Sequence, residues 1–202
     1  MRLVGTPRAA GGWGIVFVVL LLVSSAMVSV PTAAETGDRI VSFYRAHTSL
    51  IVVQQVVGMV ALVAFIAFGL SLPANRWLRP SIWLFVAVEL VTNLVPLSIV
   101  ALSPSAATAH SLTFLEDLAD SALFISIALF VSAATLAEPT WLRIAGYVAA
   151  AASVIRAIAS PLGMTALDQI APLIFVAFVL VFSVKLIVRP QPGAWPGSKV
   201  GM

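Results

Sequence analysis

Six apolar runs of roughly membrane-crossing length limit what this chain can fold into more than any other feature. They occupy residues 13–30, 49–72, 81–102, 115–137, 141–160 and 169–188. About 20 residues of helix cross the roughly 30 Å of hydrocarbon in a bilayer. Pro31, Pro73, Pro80, Pro104, Pro139, Pro161 and Pro190 punctuate the connections, as residues that cannot continue a helix should. The expected fold is all-α: one transmembrane bundle over 1–202 with six spans and no extramembrane domain.

Composition narrows the chemistry. Of 202 residues, 61% are hydrophobic and 9% charged, where a soluble domain carries about 25% charged residues. Mean hydropathy is +1.09, so lipid is the expected solvent and the bilayer the expected partner. The net charge of +3 comes without a Lys/Arg run or a basic face. It reads as orientation charge and predicts no nucleic-acid partner. The absence of cysteine excludes disulfides and thiolate chemistry. No glycine-rich phosphate loop, HExxH motif or Gly-x-Ser-x-Gly elbow is present, and His47 and His110 are widely spaced. Neither a metal nor a cofactor is expected.

Loop charge predicts orientation. Arg2, Arg8, Arg76, Arg79, Arg143, Arg189 and Lys199 fall on one side, and Arg39 and Arg45 on the other. The richer side should be cytoplasmic, which places both termini there and the protein in the plasma membrane. Trp13, Trp77, Trp83, Trp141 and Trp195 gather at that same boundary as an aromatic belt would. Lys185, at the end of the last span, is expected to snorkel to it. The first run has a competing reading as a cleavable signal peptide, with Arg2 and Arg8, an apolar stretch 15–23, and small residues Thr32 and Ala34. A retained first span is the expectation. Between the first two spans, Asp38 can cap a short helix over 38–47, with Ile40, Phe43, Tyr44 and His47 on one face. That helix would lie on the outer surface or form a lid; an extension of span two is the alternative.

A charge at mid-bilayer costs about 3 kcal/mol or more, so each calls for a partner or a purpose. Span three carries Glu89 and Asn93, four apart and on one face, followed by Pro96, which should kink the helix. Span four opens with Glu116, Asp117 and Asp120, and Ser121 and Phe124 continue that face. Glu116 and Asp117 are also placed where a solvated surface role would suffice. Gln54 and Gln55 lie one turn into span two, with Gly58 below, and fit interhelical hydrogen bonding as well as ligand binding. In span five, Arg156 shares a face with Ala149, Ala152 and Ser153 and should point inward toward Asp120, as a structural bridge or as part of a site. Span six begins at Asp168 and Gln169. With Arg156 given to Asp120, Glu89 has no evident cation, and desolvation favours its neutral, proton-donating form. These residues describe a polar pocket in the outer half of the bundle, above an inner half nearly free of charge.

Three functions fit such a pocket. One is an enzyme acting on a lipid-soluble small molecule. Glu89 would be general acid, and Asp120 and Asp117 the other carboxylates. Asn93, Gln54, Gln55, Arg156 and the aromatic Phe114, Phe124 and Phe175 would line the site. The second is a proton-coupled transporter, against which the lack of an internal repeat counts and for which a homo-oligomer would be needed. The third is an accessory subunit in which Asp120 and Arg156 only hold helices together.

In size, helix bundle and carboxylate pattern the chain resembles the small integral-membrane terpene cyclases, without a signature motif. That resemblance implies acid-initiated cyclisation of an isoprenoid alkene or epoxide. The stretches PTAAETGDRIVSFYRAHTSLIVVQQVVG and DLADSALFISIALFVSAATLAEPTWLRIAGYVAA resemble a group of small actinobacterial membrane proteins of unknown function. This second resemblance implies the same multi-helix layout and carries no activity.

Overall fold

A computed structural model describes residues 6–162, 164 and 167–188, and among these it is helical throughout, with no strand. The helices are α1 (Pro7–Met27), α2 (Gly37–Ala46), α3 (Thr48–Ser71), α4 (Leu78–Leu102), α5 (Ala106–Thr135), α6 (Thr140–Ala159) and α7 (Leu167–Val188). All but α2 are long and apolar enough to cross a membrane, which makes six candidate spans. Their ends follow local signals. The Thr6 hydroxyl accepts from Ala9 N at the start of α1, with Pro7 in its first turn, and Ser105 caps α5 by accepting from Thr108 N. Ser103, in the left-handed region at φ 45°, closes α4. The helix runs through Pro96 to that cap.

The six long helices form a closed ring. Each packs on its chain neighbours, α3 on α4, α4 on α5, α5 on α6 and α6 on α7, and α1 closes the circle between α3 and α7. One half of the ring is filled by phenylalanine. Phe65 stacks at 4.1 Å on Phe85 and meets Phe130 and Phe17 at 4.8 and 5.2 Å; Phe68 meets Phe130 and Phe182. Phe65, Phe68, Phe130 and Phe182 are fully buried. This half lies away from α2, and its end carries the exposed Trp13, Trp77, Trp83 and Trp141. Arg8, Arg76, Arg79 and Arg143 lie at the same end; Arg2, Arg189, Lys199, Pro190 and Trp195 are outside the described residues.

Two expectations change. α5 starts at Ala106, well before the apolar run at 115, and is 30 residues long, or about 45 Å. Its extra turns carry α2, which packs on α5 and α4 through Ile40 and Tyr44. α2 is therefore a separate cap on the bundle and not an extension of span two: the chain breaks at His47, whose φ of −117° and ψ of 19° leave the helical region. Lys185 does not snorkel. It reaches inward to the carboxylate of Glu138, which is buried in the α5–α6 connection, while Arg143 Nη2 donates to the Glu138 carbonyl. The phenylalanine half thus holds one buried ion pair that hydropathy alone concealed.

Candidate functional site

Above the phenylalanine plug the ring encloses a cavity of about 610 Å³, with walls from all six long helices. That volume lies within the usual range for small-molecule sites, roughly 300–1,000 Å³. Helical periodicity explains its lining. α4 contributes Phe85, Glu89, Thr92 and Asn93, and α5 contributes Glu116, Asp120, Leu123, Phe124 and Ile127, in each case residues three or four apart along one face. α3 adds Gln54, Gln55 and Gly58, α6 adds Arg156, and α7 adds Asp168, Phe175 and others.

Arg156 is the electrostatic hub. Its Nη2 lies 2.5 Å from Asp120 Oδ2 and its Nε 3.4 Å from Asp168 Oδ1. The guanidinium carbon sits 3.9 Å from the Phe124 ring centroid, a cation–π contact. Only 9% of the arginine side chain is exposed, so one buried cation is shared between two carboxylates and an aromatic face. The small residues beneath it, Ala149 and Ser153, are themselves buried and let α6 approach its neighbours closely. The pairing of Asp120 with Arg156 stands as expected; Asp168 is the added member.

Glu89 is placed differently. Asn93 Nδ2 donates to the Glu89 carboxylate at 3.2 Å and to the Glu89 carbonyl at 2.7 Å. No ion pair reaches Glu89 among the described residues, and one turn below it lies Phe85, part of the plug. The carboxyl therefore sits where the polar walls meet the aromatic floor. Asn93 is held in turn by α3: a Cβ at Gly58 would lie 2.6 Å from its Oδ1. Gln54 serves the architecture as well as the cavity. Its Nε2 donates to the carbonyls of Ser24 and Val28, and Ser24 Oγ donates to the Gln54 carbonyl, so the end of α1 is tied to α3.

Three residues fall elsewhere than expected. Phe114 is 62% exposed and takes no part in the cavity. Asp117 is off the lining; its Oδ2 accepts from Ala33 N at 2.9 Å and fixes the loop before α2. Glu116, read as a surface residue, takes its place in the wall and lies beside Tyr44 of α2. Burial first, and the neighbouring Glu116 next, push the Tyr44 phenol above its ordinary range. His110 is exposed as expected and bonds the Ala33 carbonyl at 3.0 Å; His47 bonds Phe43. The described residues contain no cluster of ligating side chains suited to a metal.

The chain matches no protein-family model, no curated protein and no solved structure. The cavity lining brings together four carboxylates, Glu89, Glu116, Asp120 and Asp168, with Arg156 as the one cation among them. Such a lining repels a phosphate or carboxylate head and suits a neutral or cationic one. Its floor of Phe85, Phe124, Phe175 and Ile127 suits a hydrocarbon.

Proposed function

We propose that this protein is an integral-membrane enzyme that protonates a neutral, lipid-soluble substrate of isoprenoid type, in the manner of the small membrane terpene cyclases. The observation that carries the reading is the position of Glu89: a carboxyl without an ion pair among the described residues, hydrogen-bonded by Asn93, at the border between polar wall and aromatic floor. In the reaction, the Glu89 O–H bond breaks as a C–H bond forms on a substrate alkene, leaving a cation on the adjacent carbon. A second double bond of the substrate can attack that cation and close a ring. A neighbouring C–H then returns its electrons to form a new alkene, and its proton goes to a carboxylate, for which Asp120 is in place. Proton exchange with water then returns Asp120 to its carboxylate and Glu89 to its acid, so no other reactant is consumed. Arg156 pairs with Asp120 and holds it in the wall, and the faces of Phe85, Phe124 and Phe175 stabilise cationic character through their quadrupoles.

The setting we propose is the plasma membrane, with α2 outside and both termini in the cytoplasm. The belt of Trp13, Trp77, Trp83 and Trp141 and the arginines beside it, at the end away from α2, support it. The cavity then lies in the outer half of the bilayer.

The test is conversion of polyprenyl alkenes, alcohols and epoxides by membranes carrying the parent or Glu89→Gln, run in D2O and read by mass spectrometry. One solvent deuteron in the parent's product and none formed by the variant, at equal folded yield, is the expected result. Equal conversion by both removes Glu89 from the role of acid. A second reading, proton-coupled transport, draws on Pro96 in α4 and Pro172 in α7, two helices of the cavity wall that proline predisposes to bend. Proton-linked uptake without conversion would favour it.

A further inference from the structure

The cavity wall has a directional feature. Of the residues that line it, Leu22, Ser25, Gln169 and Leu173 are exposed, whereas every lining residue from α3, α4, α5 and α6 is buried or partly buried. All four belong to α1 and α7. Leu22 is 42% exposed and Leu173 59%. Residues that face both the cavity and the surroundings mark an opening, and here they mark one seam of the ring.

The same seam is shut in the plug half. Gly11 and Gly14 of α1 have no side chain because Ser183 and Ile187 of α7 occupy the space a Cβ would need, with Phe68 also against Gly14. Ser183 and Phe182 are fully buried there. Toward the α2 end the attachments of α1 change partner: Ser24 and Val28 are bonded to Gln54 of α3. On the other side of the seam, Pro172 has no N–H to bond the Asp168 carbonyl, so the first turns of α7 hold one backbone hydrogen bond fewer. The two helices are thus clasped at one end and pulled to different neighbours at the other.

We infer that the ligand enters sideways from the lipid, through a portal between α1 and α7 framed by Leu22 and Leu173. This deepens the functional reading and rests on its claim that the ligand is a neutral lipid. A route through the hydrocarbon suits that class: leucine on both jambs passes an alkyl chain, and the hydrogen-bonding Ser25 and Gln169 lie on the α2 side, where a hydroxyl head would travel. The acidic interior beyond them turns away the anionic heads of phospholipids, so bulk lipid is a poor competitor. Under the proposed orientation the portal faces the outer leaflet.

The sequence contains no cysteine, so a Leu22→Cys/Leu173→Cys pair provides unique handles. The pair is bridged in membranes with a bis-methanethiosulfonate reagent and released with dithiothreitol. The probe is a diazirine-bearing farnesol, photolysed after brief mixing, and labelling of the peptides holding Phe124 and Phe175 is read by mass spectrometry. Bridging should slow labelling by about tenfold or more, because entry then requires a rearrangement of the ring, and release should restore the rate of the same double variant. Labelling that is equally fast with the bridge in place overturns the portal while leaving the ligand class intact. No cavity labelling even with free thiols overturns the ligand class, and the portal with it. The bridged and released states are one protein, so a folding defect cannot mimic the expected result.

Discussion

The two halves of the bundle each bury charge, and they do so in opposite ways. In the plug half, Glu138 meets Lys185 within closely packed surroundings, sealed by Phe182 and Leu186. In the cavity half, Arg156 is divided between Asp120 and Asp168, whose side chains remain 39% and 30% exposed, and Glu89 and Glu116 are left over. The first arrangement balances charge and leaves no room; the second leaves acid in excess and a space beside it. Structural ion pairs in membranes need only the first. The excess acid and the empty volume are what give the second half a candidate chemistry.

Mutations can break or sharpen this contrast, beginning with the plug. Phe65→Ala or Phe130→Ala should cost about 3–5 kcal/mol, read as a large fall in thermal unfolding temperature in detergent. A loss no greater than for a lipid-facing residue such as Leu129 would mean the plug is not the core. Next, Glu138→Ala alone should lose about 3 kcal/mol by taking a buried carboxylate away from the Lys185 ammonium, whereas Glu138→Leu with Lys185→Met should recover most of it. An undiminished loss in the double variant would give the pair a role beyond mutual neutralisation. Arg156→Met should cost less, about 1–2 kcal/mol, because its partners are a third or so exposed and water shares in their stabilisation. Glu89→Gln should change stability by under about 1 kcal/mol, since no ion pair is lost and the Asn93 contact can be kept. Its effect belongs in turnover. A Gln variant that unfolds easily would return Glu89 to the structural half of the comparison.

Tyr44 supplies a pH signature. Its phenol is raised in the folded state, so the folded chain holds that proton more tightly than the unfolded one. The resulting stability is complete below the unfolded phenol's value, about 10, and declines above it. Tyr44→Phe should flatten this alkaline decline and leave neutral stability nearly unchanged; a decline of the same slope in both proteins would assign it to another group.

The spans were legible because length and hydropathy are properties of consecutive residues. The start of α5 was not, since 106–114 reads AATAHSLTF, moderately polar, and its helix is fixed by Ser105 and by contact with α2. Site residues divided by whether one helix or two had to be known. Glu89 with Asn93 is a relation within α4 and was visible as a spacing of four. Asp117 and Glu116 are adjacent in sequence, about 100° apart around the helix, and only the rotation of α5 decides which faces inward. Glu116 does; Asp117 is drawn to the Ala33 amide instead. Phe114 turned outward for the same reason. Asp168 and Glu138 stand beside connections, where a carboxylate reads as solvated, and their burial depends on helices far away in sequence.

The ring also has an order of assembly. Helices leaving the ribosome in sequence can pair neighbour to neighbour from α3 through α7, each contact being made soon after its second member is synthesised. The α1–α7 contact joins the extremes of the described chain, and its loop-closure entropy is the largest in the ring. Until α7 is threaded in, the carboxylates of α4 and α5 face an unfinished trough with Asp168 missing from Arg156. The cavity is therefore complete only once α7 has joined the ring, and the seam proposed as its doorway is also the last joint of that ring to close.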